Sequence, residues 1–205
     1  MFDLTNKTAL VTGATGGIGR AICRTLYAQG ANVILTDMNQ ESLDEFAKEL
    51  GDRAVGIAAN ISDVESMQTL LKKAQEKFES IDILVNNAAM QYQLKFDEYS
   101  LEQMKRIFEV NLGGYFSMSK KVIPYMKEKN WGRIINISSV AGRMGSYASG
   151  MAYVAAKGGV LSLTRGMSRR LAPRKITVNA VCPGTIETDM IKQWTPDKVA
   201  ELTAN

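Results

Sequence analysis

The chain has 205 residues, 45% apolar and 22% charged, with 25 Lys+Arg against 21 Asp+Glu, a net charge of +4 and no histidine. Globular fractions at this length exclude disorder and fibrous classes and suffice for one domain with a real core. The missing histidine excludes Ser-His-Asp and Cys-His catalysis and imidazole-based zinc, leaving acid–base chemistry near neutral pH to a tuned Tyr, Lys, Asp, Glu or Cys.

In chain order, strands are predicted at Thr8–Thr12, Asn32–Asp37, Ala54–Asn60, Ile81–Asn86, Arg133–Ser138 and Ile176–Val181, and amphipathic helices at Ile18–Gln29, Glu41–Leu50, Val64–Phe78, Leu101–Lys129 and Met151–Leu171. Runs such as Val33-Ile34-Leu35 and Ile83-Leu84-Val85 are apolar throughout, as expected of strands covered on both faces. Strand–helix alternation predicts right-handed βαβ units in an α/β, doubly wound parallel sheet, one domain over residues 1–205. After Val181, Thr195-Pro196-Asp197 reads as a helix start with Thr195 as N-cap, so the expectation is that the domain is C-terminally incomplete and lacks its last strand.

Cys23 and Cys182 lie in a helix and a strand without CxxC spacing, so neither a disulfide framework nor a metal site is expected. The N-terminus lacks the pattern of a signal peptide, and no apolar run approaches the ~18 residues of a membrane span. A cytoplasmic chain with no membrane and no nucleic-acid partner is expected.

The first strand runs into Thr12-Gly13-Ala14-Thr15-Gly16-Gly17-Ile18-Gly19, which opens a helix. Glycines there let the backbone approach a pyrophosphate while the helix N-terminus offers free N–H groups. The spacing is G-x-x-G-G-x-G, not G-x-G-x-x-G, and strand–turn–helix context carries the reading. Asp37, closing the second strand, can accept from a ribose 2′-OH and repels a 2′-phosphate, and neither Gly16 nor Met38 offers a cation, so NAD(H) is expected over NADP(H).

Tyr153 and Lys157 stand four apart on one helix face. A lysine ammonium beside the phenol, with a positively charged nicotinamide, would bring its pKa down from ~10 toward neutrality. Ser138-Ser139 and Asn86-Asn87-Ala88-Ala89 close strands at the carboxyl rim, where open α/β sheets bind ligands. Asn111 and Gly113-Gly114 interrupt an apolar helical stretch and predict a local distortion holding water.

These motifs together resemble the short-chain dehydrogenase/reductase family along essentially the whole chain: TGATGGIG at Thr12–Gly19, NNAA at Asn86–Ala89, VNLGG at Val110–Gly114, Ser139, YVAAK at Tyr153–Lys157 and PGTIETDM at Pro183–Met190. The resemblance implies a Rossmann-type fold and reversible hydride transfer between NAD(H) and a ketone or secondary alcohol. It makes Tyr153 the general acid/base. Lys157 would lower its pKa and bind the nicotinamide ribose, Ser139 would polarise the carbonyl, and Asn111 would hold a relay water. Gly13, Thr15, Gly16, Gly17, Ile18 and Gly19 would form the pyrophosphate loop, Asp37 and Met38 the adenosine-ribose end, and Asn60 and Ile61 the adenine contact. Asn87, Ala88 and Ala89 would line the ribose, with Ala89 where glycine is more usual. Pro183, Gly184, Ile186 and Thr188 would meet the nicotinamide.

Substrate contacts are expected from Met90–Phe96, Gly142–Met151 (with Met144 and Tyr147) and a lid beginning in residues 184–205. Among family members the chain is most similar to 3-oxoacyl-carrier-protein reductases and secondary-alcohol dehydrogenases. The former usually use NADPH, against Asp37, so an acyl-carrier-bound substrate with NADPH stands as the alternative. A non-catalytic NAD(H)-binding regulator is the alternative of another class. Relatives imply a homotetramer or homodimer through helices Leu101–Lys129 and Met151–Leu171.

Overall fold

The computed structural model describes residues 3–92, 94–146 and 149–188. Six parallel strands, β1 (Thr8–Thr12), β2 (Asn32–Thr36), β3 (Ala54–Gly56), β4 (Ile83–Asn86), β5 (Gly132–Ile137) and β6 (Ile176–Val181), form one sheet in the order β3-β2-β1-β4-β5-β6. The chain winds outward from β1 in one direction and then, from β4, in the other. The resulting crevice between β1 and β4 is where such folds bind ligands.

Helices α1 (Gly17–Ala28), α2 (Gln40–Leu50), α3 (Val64–Lys77), α4 (Leu101–Phe108), α5 (Gly114–Glu128), α6 (Ala141–Met144) and α7 (Met151–Leu171) cover both faces. Alternate strand residues feed separate cores. Leu10, Ile34, Leu84 and Ile134 pack with Met67, Leu70, Tyr115, Met118, Val122 and Val160 on one face. Ala9, Val11, Val33, Leu35, Ile83 and Val85 pack with Cys23, Leu43 and Phe46 on the other. Period-two alternation on a sheet buried from both sides explains why its strands are apolar throughout.

Apart from shifts of one or two residues at element ends, the described residues depart from the expected elements most at the third strand, the Leu101–Lys129 helix and the stretch after β5. The third strand ends at Gly56 rather than Asn60, although the Ile57 and Ala59 N–H groups still donate to the Leu35 and Asp37 carbonyls, each at 2.9 Å. The helix expected over Leu101–Lys129 is interrupted by a π-turn, Glu109–Gly113, where the polar Asn111 and two glycines fall. A four-residue helix, α6, occupies a stretch too short to show periodicity. The helix start at Thr195-Pro196-Asp197, any strand beyond it, Tyr147 and most of 184–205 lie outside the described residues.

A buried polar ladder joins the halves of the sheet to the helices. Asn86 and Asn136 face each other in the β4–β5 register. Asn86 Nδ2 donates to Asn136 Oδ1 (2.8 Å) and to Ser119 Oγ of α5 (3.1 Å), and Asn136 Nδ2 donates to Thr164 Oγ1 of α7 (2.9 Å).

Candidate active site

One cleft of about 620 Å³ opens at the carboxyl ends of the strands. Every expected cofactor or catalytic residue lines it except Thr15 and Asn111. Those two act through neighbours.

At one end lies the loop from β1 into α1. Asn39, Asp63 and Ser100 cap α2, α3 and α4 with their side chains, whereas α1 starts from Gly16 with no side-chain cap and no acidic residue in its first turn. Its first N–H groups and the positive end of its dipole thus face the cleft, which is what a pyrophosphate requires. The glycines hold this loop close. Gly13 has φ +65° and a Cβ there would meet the Ala88 backbone at 2.7 Å, while a Cβ on Gly19 would lie 2.0 Å from the Gly13 carbonyl oxygen. Gly17 faces Thr188 across the cleft mouth. An uncapped helix end over a loop whose Gly13, Gly17 and Gly19 leave no room for a Cβ fits a dinucleotide.

Thr12 ties this loop to β4, a role its place in the glycine motif did not reveal. Its Oγ1 accepts from the backbone N–H of Asn87 (2.9 Å) and Ala88 (3.0 Å), and Asn87 Nδ2 donates to the carbonyls of Thr12 and Gly13, each at 3.0 Å. Asp37 is held as well: Oδ2 accepts from the Thr15 N–H (3.1 Å) and hydroxyl (2.5 Å), and Oδ1 accepts from the Met38 N–H (2.9 Å). Arg20 donates to the Thr15 carbonyl (3.0 Å) and lies near Glu49. Thr15 therefore positions the Asp37 carboxylate from behind. Asn60 turns its Oδ1 onto the Ser62 N–H and hydroxyl, and Ile61 lines the cleft beside it.

At the other end stand Ser139, Tyr153 and Lys157. The two serines divide as their alternation along β5 requires. Ser138 is buried and its hydroxyl donates to the Lys157 carbonyl (2.8 Å), locking β5 to α7. Ser139 accepts from the Ala141 N–H (3.1 Å) and hydrogen-bonds the Tyr153 phenol. A Cβ on Gly142 would meet the Lys157 backbone at 2.6 Å, so the serine-bearing loop lies directly on α7.

Burial raises the Tyr153 pKa, and the Ser139 hydrogen bond offsets this in part. The expectation that the neighbouring lysine acidifies the phenol is thus not met by the chain alone. Lys157 itself is 1% exposed, and desolvation brings its pKa down to about 7. Its Nζ donates to the Ile137 carbonyl (2.7 Å) and to Tyr115 Oη (3.1 Å) and lies 5.6 Å from the Tyr153 ring centroid. A phenol kept protonated and a lysine near its neutralisation point make a proton donor whose strength follows the lysine's charge.

Asn111 sits inside the π-turn, fully buried. Its amide clasps one peptide unit: Oδ1 accepts from the Met90 N–H (2.9 Å) and Nδ2 donates to the Met90 carbonyl (2.8 Å). The expected distortion is present, and half of the side chain's hydrogen-bonding capacity fixes the loop after β4. Pro183 accepts from the Val140 N–H (3.0 Å), and Pro183, Gly184, Ile186 and Thr188 close the cleft beyond β6.

A family model of short chain dehydrogenases matches residues 7–199. The 3-oxoacyl-[acyl-carrier-protein] reductase of Vibrio harveyi is 42% identical over 203 residues, 99% of this chain and 83% of that protein. Nodulation protein G of a Rhizobium species is 42% identical over 190 residues, covering 93% of this chain and 77% of its own length. A crystal structure of 3-ketoacyl-(acyl-carrier-protein) reductase from Brucella melitensis complexed with NADH superposes with a TM-score of 0.92 at 32% identity, covering 97% of this chain and 83% of that one. The uncapped loop of α1, the crevice between β1 and β4, and a family match over nearly the whole sequence agree: this chain belongs to the short-chain dehydrogenases, pyridine-nucleotide oxidoreductases acting on ketone and CH–OH groups.

Proposed function

We propose that the chain interconverts a 3-oxoacyl thioester, acyl-carrier-bound in the cell, and its 3-hydroxy form, using NAD(H) in preference to NADP(H). One observation carries the reading: Ser139, Tyr153 and Lys157 line the same cleft as the uncapped end of α1. The bound nicotinamide supplies the hydride, or removes it in the reverse direction. In reduction Tyr153 gives its phenolic proton to the carbonyl oxygen, and Ser139 donates a hydrogen bond to that oxygen. Lys157 holds the nicotinamide ribose, and its charge favours the phenolate that forms. Asn111 fixes the Met90 peptide and keeps one N–H and one lone pair for the relay water. Gly13, Gly16, Gly17, Ile18 and Gly19 hold the pyrophosphate, with Asn60, Ile61, Asn87, Ala88 and Ala89 along the nucleoside. Pro183, Gly184, Ile186 and Thr188 contact the nicotinamide end. Met90, Val140 and Ile186 supply the apolar wall an acyl chain needs.

Asp37 supports the NAD(H) preference, since its fixed carboxylate lines the cleft at the end of β2 and would repel a 2′-phosphate. The relatives named as carrier-protein reductases support the substrate class. The exposed Phe116, beside a groove formed by Phe108, Leu112, Gly159 and Leu163, supports assembly as a homodimer or homotetramer through α4, α5 and α7.

The test follows NADH and NADPH absorbance with an acetoacetyl thioester. Expected are a kcat/KM at least about tenfold higher with NADH, equivalent to ~1.4 kcal/mol, and loss of turnover in Tyr153→Phe with NADH binding retained. Near-normal turnover in that variant rejects the site, and equal use of both nucleotides rejects Asp37 as selector.

A further inference from the structure

A buried ammonium normally needs an opposite charge, since an unpaired one costs several kcal/mol and tends to neutralise. Among the described residues no carboxylate pairs with Lys157. Its donors go to two neutral oxygens instead, the Ile137 carbonyl that ends β5 and the hydroxyl of Tyr115 from α5. Tyr115 is itself fully buried, and its hydroxyl donates to the same Ile137 carbonyl (3.2 Å). The three groups close a triangle. The phenol's one proton is spent on Ile137, which leaves its lone pairs to receive the lysine N–H.

We propose that Tyr115 is a positioning residue for the reaction, its hydroxyl holding the Lys157 ammonium at the end of β5, near the Tyr153 ring, where a carboxylate would otherwise be needed. The proposal rests on the roles given above to Tyr153 and Lys157. A carboxylate in that place would stabilise the lysine's charge but cancel its field at Tyr153. A neutral phenol stabilises the ammonium and leaves the field intact. Among the described residues, the titratable groups against the Lys157 ammonium are Tyr115 from α5 and Tyr153 from α7, and β5 presents the Ile137 carbonyl. Desolvation raises the pKa of both phenols, so each is protonated at working pH. The π-turn contributes too. It adds one residue to the helix before Tyr115, turning α5 by about 100° relative to an uninterrupted continuation of α4. That rotation helps determine which α5 side chain meets Lys157.

Tyr115→Phe removes the hydroxyl and keeps the ring. Without its acceptor the charged lysine is less favoured, so the lysine loses its proton at lower pH. In ketone reduction with NADH and the acetoacetyl thioester, the alkaline limb of the kcat/KM profile is expected to move down by about one pH unit, with kcat at pH 8 about tenfold lower. An unmoved limb with kcat within twofold of the parent overturns the proposal, even with a lower Tm, because a merely structural phenol would affect stability alone. If circular dichroism shows Tyr115→Phe unfolded, 3-fluorotyrosine at 115 applies the same test with packing preserved. Its weaker acceptor is expected to shift the limb in the same direction, and no shift overturns the proposal. Tyr153→Phe is assayed in parallel. Turnover there means the reading of the site has failed, whereas an inactive Tyr153→Phe beside an unaltered Tyr115→Phe means that only the role of Tyr115 has.

Discussion

Lys157 brings an amine into the interior of α7 with only neutral oxygens for company, and its ionisation is therefore tied to folding. Its pKa falls from 10.5 to about 7 on burial. Between those values the unfolded chain holds a proton that the folded chain lacks, so stability rises with pH across the window, and the cost of charging is fully present below about 7. Lys157→Met removes that cost. Its Tm relative to the parent is expected to be most favourable near pH 6 and to fall steadily toward pH 10, as scanning calorimetry at several pH values would show. A flat difference would mean that Lys157 titrates normally. At this scale Tyr153 and Lys157 drew notice by residue type and interval, and the family resemblance singled out Ser139 beside them. Tyr115 drew none. An aromatic in an amphipathic helix reads as core, and only the fold brings it to a lysine 42 residues away.

The π-turn shows what an interruption inside a helix can do for a loop beyond it. Asn111 spans from this turn to the Met90 peptide and satisfies a donor and an acceptor in the segment that leaves β4. Asn111→Ala strands both groups, a loss of about 2–3 kcal/mol. For a chain of this length Tm is expected to drop by roughly 5–10 °C, measurable by thermal scanning, and a drop under 2 °C would mean that Met90 finds other partners. The amphipathic pattern before and after the turn predicts one long helix, since period alone cannot show a single inserted residue. Asn111 and the paired glycines nevertheless marked the place. The parallel, doubly wound sheet emerged from alternation and handedness, whereas the packing of Gly56 against Leu43 is a tertiary contact with no local signal.

At the scale of the molecule, the groove between α4, α5 and α7 exposes Phe116 (55%). Phe116→Asp puts a charge where a subunit contact would bury it. The expected outcome in sedimentation velocity is a shift from assembly to monomer, and a monomeric parent chain would remove the basis for that contact. The buried ladder from Ser119 through Asn86 and Asn136 to Thr164 has a different reach. In strands apolar on both faces a one-residue slip still presents apolar side chains to each core, so the hydrophobic pattern alone marks register less sharply than in a one-faced sheet. Two amides that meet at only one offset act as an index mark: any other alignment of β4 and β5 buries them unpaired. Because the mark lies at the rim where Ser139 and Asn87 begin, a chain that folds out of register cannot assemble the cleft, and proofreading of the fold and of the site becomes the same event.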